Sequence, residues 1–143
     1  MILVEQHIVK KSNPDWKNID QAAFMSKNIY NQAIYYLRRH YEETGKYLTF
    51  YQLNKIFIRD PELKVNYNIL PNNTSMQVLK QIDEMYKSYF ALIRKWKKNP
   101  KLLNGIPKPP HYKHKEKGRN LLCFSTAQVK VANGYVKFPK EDG

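Results

Sequence analysis

His111 and His114 stand three residues apart in the stretch "HYKH", and Cys123 follows nine residues after His114. Imidazole nitrogens and a thiolate are zinc ligands, but a closed zinc site takes four donors and this stretch supplies three, with no CxxC beside it. Phosphate contact or plain exposure is the better reading of the two histidines. Asp83 and Glu84 are the closest carboxylates, yet neighbours in a helix point apart and make a poor acid–base pair. His7 lies in an apolar segment and reads as a packed or surface residue rather than a base. The five glycines are isolated, so no phosphate loop can be written. The sequence offers no catalytic residue and no metal site.

Phosphate binding is the chemistry that the residue types do support. The chain has 143 residues and a net charge of +13, and the charge is segregated. Residues 1–85 carry eleven basic and nine acidic side chains, whereas residues 86–120 carry eleven basic and one acidic. No acid stands between Glu84 and Glu116. A solvated face mixes both signs, so a one-sign block is a candidate surface for a polyanion. Nucleic acid is the default partner of such a domain and a membrane surface the rival. Arg94, Lys95, Lys97 and Lys98 crowd one helix end, where the helix dipole already favours cations. That local cause does not extend to Lys108, Lys113, Lys115, Lys117 and Arg119 in "GIPKPPHYKHKEKGRN", residues 105–120. Pro107, Pro109 and Pro110 hold this loop extended, so its lysines can track a backbone. The loop is expected to be exposed and outside the core, so that replacing its cations should barely change folding. Tyrosines interleave with lysines in "YKSYFALIRKWKK" and "HYKHK", and rings of this kind stack on unpaired bases, although most of the 11 tyrosines read as helix core with the hydroxyl at the rim.

Those residues must be carried by helices and strands. "ILVEQHIV" predicts a strand over Ile2–Val9. In "SNPDW", Asn13 is a helix cap, Pro14 a first helical residue, and Asp15 suits the positive helix end. The stripe Trp16, Ile19, Ala23, Tyr30, Ala33, Ile34, Leu37 and Tyr41 then predicts a long helix, with Gly45 as its stop. Thr49 and Gln52 match a capping box for a second helix that ends at Asp60-Pro61. "KVNYNILPNN" reads as a linker. A third helix is predicted from about Thr74 to Lys98, on the stripe Val78, Leu79, Ile82, Met85, Tyr86, Tyr89, Ile93 and Trp96. Beyond the loop, "LLCFST" predicts a strand with Cys123 as core filler. "VKVANGYVKF" predicts a hairpin with a type I′ turn at Asn133-Gly134, Val131 opposite Val136, Val129 opposite Phe138, and Lys130 opposite Lys137. Like charges facing each other repel. An anion on that face would relieve them, and so would lysines splayed into solvent.

Four blocks in this order, "IYNQAIYYLRRHYEETGKYLTFYQL", "LPNNTSMQVLKQIDEMYKSYFAL", "GIPKPPHYK" and "YVKFPK", resemble the N-terminal region of the TnpB (OrfB) family, transposon-encoded RNA-guided nucleases akin to type V CRISPR effectors. The resemblance covers about residues 1–140. It implies an α+β fold: a three-helix recognition lobe inserted between the first strand and later antiparallel strands of a small wedge β-barrel, incomplete in this chain. The implied divisions are a first wedge strand at 1–11, the helical insert at 12–104, the basic loop at 105–119 and wedge strands at 120–143. The implied function is binding of a guide-RNA scaffold and of a short double-stranded DNA motif beside the target. RNA contacts would come from Arg94, Lys97, Lys98, Lys108, Lys113, Lys115, Lys117, Arg119, Lys130 and Lys137. DNA contacts would come from Phe50, Tyr51, Asn72, Asn73, Thr74, Gln77, Ser125 and Thr126, where Asn and Gln can pair with adenine; Met76 departs from what a base-reading position favours. The family's catalytic carboxylates and zinc ribbon lie in downstream domains, so the sequence is expected to be part of a longer or truncated chain, not an enzyme by itself, with magnesium and zinc belonging only to those domains. The expected location is the prokaryotic cytoplasm, with no membrane partner: no apolar run reaches the ~18 residues of a spanning helix, and "MILVEQHIVKK" lacks the basic start of a signal peptide. Two alternatives remain: a stand-alone, repressor-like remnant of a transposase using the second and third helices as a helix-turn-helix, or a basic protein-interaction or membrane-surface module on the amphipathic third helix.

Overall fold

A computed structural model of the chain describes residues 9–124, 130–132 and 135–137. Four helices make its body: α1 (Trp16–Thr44), α2 (Phe50–Arg59), α3 (Leu63–Tyr67) and α4 (Asn72–Lys98). A 3-10 turn follows at Pro100–Leu102, and two three-residue strands, β1 (Lys130–Ala132) and β2 (Tyr135–Lys137), pair antiparallel.

The long helices bury the stripes that their periodicity marks. Ile29, Tyr30, Ala33, Ile34 and Leu37 of α1 face Val78, Leu79, Ile82 and Tyr86 of α4, and all are buried. Leu53 and Phe57 of α2 complete the layer. Tyr41, at the outer end of the α1 stripe, is instead exposed. α1 ends as its sequence predicts: Gly45 adopts φ 70°, the left-handed conformation that glycine reaches at no steric cost, and donates to the Tyr41 carbonyl at 2.8 Å. Its start differs by two residues, because Asn13 closes a turn on the Asp15 N–H at 2.9 Å and the helix begins only at Trp16. The capping box at α2 is present, with the Thr49 side chain accepting from Gln52 N–H and the Gln52 side chain accepting from Thr49 N–H.

The segment read as a linker is structured. Asp60 ends α2, and its carboxylate accepts from the N–H groups of Glu62 and Leu63, starting α3. Tyr67 is 1% exposed, its ring edge-on to Phe57 at 5.6 Å between centroids, and Leu70 is buried beside it. Only Pro61 and Glu62 with Asp60 separate α2 from α3, a helix-turn-helix spacing, but α3 has five residues and is too short to lie along a major groove.

The α+β expectation with a wedge barrel is overturned. The body is all helical, and the one β pairing among the described residues is the short β1–β2 hairpin. Leu121–Phe124 form no strand. At the start of that segment α1 takes two backbone groups that a ladder would use: Ala23 accepts from Asn120 N–H at 3.2 Å, and the Ser26 hydroxyl donates to the Leu121 carbonyl at 2.8 Å. The hairpin keeps the register read from its sequence, Lys130 opposite Lys137 and Val131 opposite Val136. Ile2–Ile8, Ser125–Val129, the turn at Asn133-Gly134 and Phe138 lie outside the described residues.

Candidate nucleic-acid interface

The basic loop is a strap laid antiparallel along α1. The Arg38 guanidinium donates to the Pro110 carbonyl at 2.8 Å, the Tyr30 hydroxyl to the His111 carbonyl at 2.9 Å, and the Lys27 amine to the Lys115 carbonyl. Asn31 closes a two-pronged bridge on Lys113: its amide donates to the carbonyl and its oxygen accepts the N–H, both at 2.9 Å. An extended chain has unpaired backbone groups, and burying them without partners is costly, so a polar stripe on a helix is what lets it dock. With carbonyls turned to α1, Lys108, Lys115 and Lys117 remain exposed, as do His111 and His114.

The far end of the strap is locked. Arg119 forms a two-pronged ion pair with Asp20, 2.9 Å and 3.1 Å, which holds the Asp20 carboxyl below its usual range and raises the guanidinium. Asn120 is buried between α1 and α4. Its amide donates to Ser26 Oγ at 3.1 Å and to Gln81 Oε1 at 3.0 Å, and its oxygen accepts from Gln81 Nε2 at 3.3 Å. Lys27 is 1% exposed, with its amine 3.8 Å from the Phe24 ring centroid. Burial lowers its pKa, and the nearby charges of Arg119 and Lys115 lower it further.

The expectation that this loop lies clear of the folded body is therefore corrected for part of it. Pro110 and Asn120 are buried, Arg119 is committed to Asp20, and the Lys113 amine sits 5.1 Å over the Tyr30 ring. At the end of α4, Arg94, Lys95, Lys97 and Lys98 are exposed, continuous in sequence with the turn that leads into the strap. Lys130 and Lys137 are backbone register partners across β1 and β2.

The residues proposed for DNA scatter by exposure. Tyr51 is 76% exposed, Asn72 and Asn73 are exposed, and Gln77 is half-buried. Phe50 is buried under the α2 start with Lys80 over its ring, and Thr74 is fully buried, so neither presents a side chain to a base. Ser125 and Thr126 lie outside the described residues. Asp83 and Glu84 diverge, as their spacing requires. Asp83 is buried and binds the Tyr47 hydroxyl at 2.9 Å and the Lys87 amine at 2.8 Å, while Glu84 faces solvent. Cys123 is half-buried with a free thiol.

Sequence reasoning missed the residues that hold the strap: Asp20, Ser26, Lys27, Asn31, Arg38 and Asn120. A signal did exist. Lys27, Asn31 and Arg38 recur at four- and seven-residue steps, a polar stripe beside the apolar one, which a helix facing only solvent does not require. Among the described residues no helix is long and apolar enough to cross a membrane, and no cluster of three histidine, cysteine or carboxylate side chains could hold a metal. No protein-family model and no curated protein matches the chain.

Proposed function

We propose that the chain is a nucleic-acid-binding module that grips the phosphate backbone along the strap and the end of α4, binding without cutting. Following the resemblance to TnpB proteins, its partners are a guide RNA and a double-stranded DNA target of an RNA-guided nuclease acting in a prokaryotic cytoplasm. The observation that carries the reading is the orientation of the strap: the carbonyls of Pro110, His111, Lys113 and Lys115 are bonded by α1 while Lys108, Lys115 and Lys117 stay exposed. The ordering of the chain has been met before the ligand arrives, so less of the binding energy is lost to immobilising a loop. Contact with the target-adjacent DNA falls to Tyr51, Asn72, Asn73 and Gln77, since Phe50 and Thr74 are buried.

Replacing Lys108, Lys115 and Lys117 together by Gln tests it. Loss of three phosphate contacts should flatten the slope of log affinity against log salt by roughly 2 to 3, the lower end for single strands. Circular dichroism of the variant should match the parent, because these three side chains make no contact that holds the strap. An unchanged slope would refute phosphate binding by the strap.

A further inference from the structure

Tyr112 is the one strap residue whose ring is braced and yet left open. The Arg38 guanidinium lies 4.7 Å from its ring centroid and is itself tied to the Pro110 carbonyl two residues earlier, at 2.8 Å. One face of the ring is thereby covered by a fixed cation, and 44% of the residue stays accessible. Other exposed tyrosines lack this setting. Tyr35 also carries an arginine, but that arginine, Arg39, is paired with Glu43, an acid that would repel a phosphate. Tyr51 stands on α2, outside the strap.

We infer that Tyr112 is a stacking platform for one unpaired nucleobase, so that the strap takes single-stranded nucleic acid, with Lys108 and Lys115 serving the flanking phosphates. The inference rests on the phosphate-binding reading above and adds to it the strandedness of the ligand. The chemistry is that of single-strand channels, where a basic track follows the backbone and rings stack the bases without reading them. A paired base cannot reach a ring lying on a protein surface, because both its faces are already stacked. A guanidinium held behind the ring fixes its orientation and spares the entropy of ordering it on binding.

The test uses an oligouridine of about twelve nucleotides, within the span that such grooves occupy, the same strand with abasic sites throughout, and a fully paired duplex. Tyr112→Ala should weaken oligouridine binding by roughly 5- to 150-fold, the range for removing one stacking ring. Tyr112→Trp should restore it. Neither change should alter binding to the abasic strand or the duplex. Equal losses on oligouridine and the abasic strand would mean that the ring merely holds the strap, and would overturn the inference. Unchanged affinity of Tyr112→Ala for oligouridine, with the Lys→Gln variant still impaired, would also overturn it while leaving phosphate binding standing. Failure of the parent protein to bind any of the three would overturn the proposed function itself.

Discussion

Replacing Asn120 by Ala should unlock the strap from the helices. The Asn120 side chain makes two hydrogen bonds of ordinary length, 3.1 Å to Ser26 and 3.0 Å to Gln81, and one longer return bond of 3.3 Å from Gln81. Each nets about 0.5–1.5 kcal/mol in a folded protein, and the residue is only 5% exposed, so water does not take its place. Ser26 keeps its bond to the Leu121 carbonyl, and half-buried Gln81 can turn toward solvent, which limits the penalty for orphaned groups. The expected cost is then about 2–4 kcal/mol, a large share of a typical domain's stability. Urea denaturation followed by circular dichroism reads it, provided that the slope with denaturant is unchanged. Asn120→Asp should cost at least as much near neutral pH, since it removes both donors and buries a charge. A double-mutant cycle with Gln81→Ala should show coupling of about 1 kcal/mol or more, because the two amides bond to each other. A cost for Asn120→Ala below about 0.5 kcal/mol, or strict additivity with Gln81→Ala, would refute the idea that this buried amide pair fastens the strap.

Gly118→Ala should loosen the same region, because an added Cβ would lie 2.4 Å from the His114 carbonyl oxygen and 2.8 Å from its nitrogen, both backbone atoms; a lower melting temperature, equivalent to about 1–3 kcal/mol, is expected. Thr74→Val should leave stability unchanged or raise it by up to about 1–2 kcal/mol, since the buried Thr74 hydroxyl has no hydrogen-bond partner and the swap keeps its shape; a loss in chemical denaturation would contradict this. Burial raises the pKa of Tyr30, Tyr47, Tyr67 and Tyr86 above the ordinary tyrosine value of 10.0. The folded state therefore holds protons that the unfolded state releases, and stability present below pH 10.0 should fall as pH rises beyond it. Lys27, lowered from 10.5, acts oppositely but as one group against four, and Tyr67→Phe should flatten the alkaline fall in denaturation midpoints.

The helices were legible where a local rule decides them. Ile29, Ala33 and Leu37 in α1, and Val78, Ile82 and Tyr86 in α4, announce buried faces by spacing alone, and Thr49, Gln52 and Gly45 mark ends by short-range hydrogen bonding. α3 was hidden because Asn66 within it and Asn68 after it mask Leu63, Tyr67 and Leu70, residues that become core only when α2 and α4 are in place. The strand read at Leu121–Thr126 fails over its described part, Leu121–Phe124, for a long-range reason: an apolar run says that a segment will be covered, not by what, and α1 covers the start of this one. The charge block itself was plain, yet the same composition did not distinguish exposed Lys117 from committed Arg119, because the distinction depends on Asp20, 99 residues away. Strap anchoring through main-chain carbonyls leaves no mark on the strap's own sequence.

The bonds between α1 and the strap join residues 72 to 99 positions apart in the chain. During synthesis at about 5–20 residues per second, α1 leaves the ribosome several seconds before its covering segment exists. A helix waiting with an apolar flank uncovered would invite aggregation in that interval. The flank that waits here is built largely from Ser26, Lys27, Asn31 and Arg38, groups that water can satisfy until the carbonyls of Pro110, Lys113 and Lys115 arrive. A seam of polar side chains closed by late-arriving backbone is thus one that a nascent chain can leave open safely.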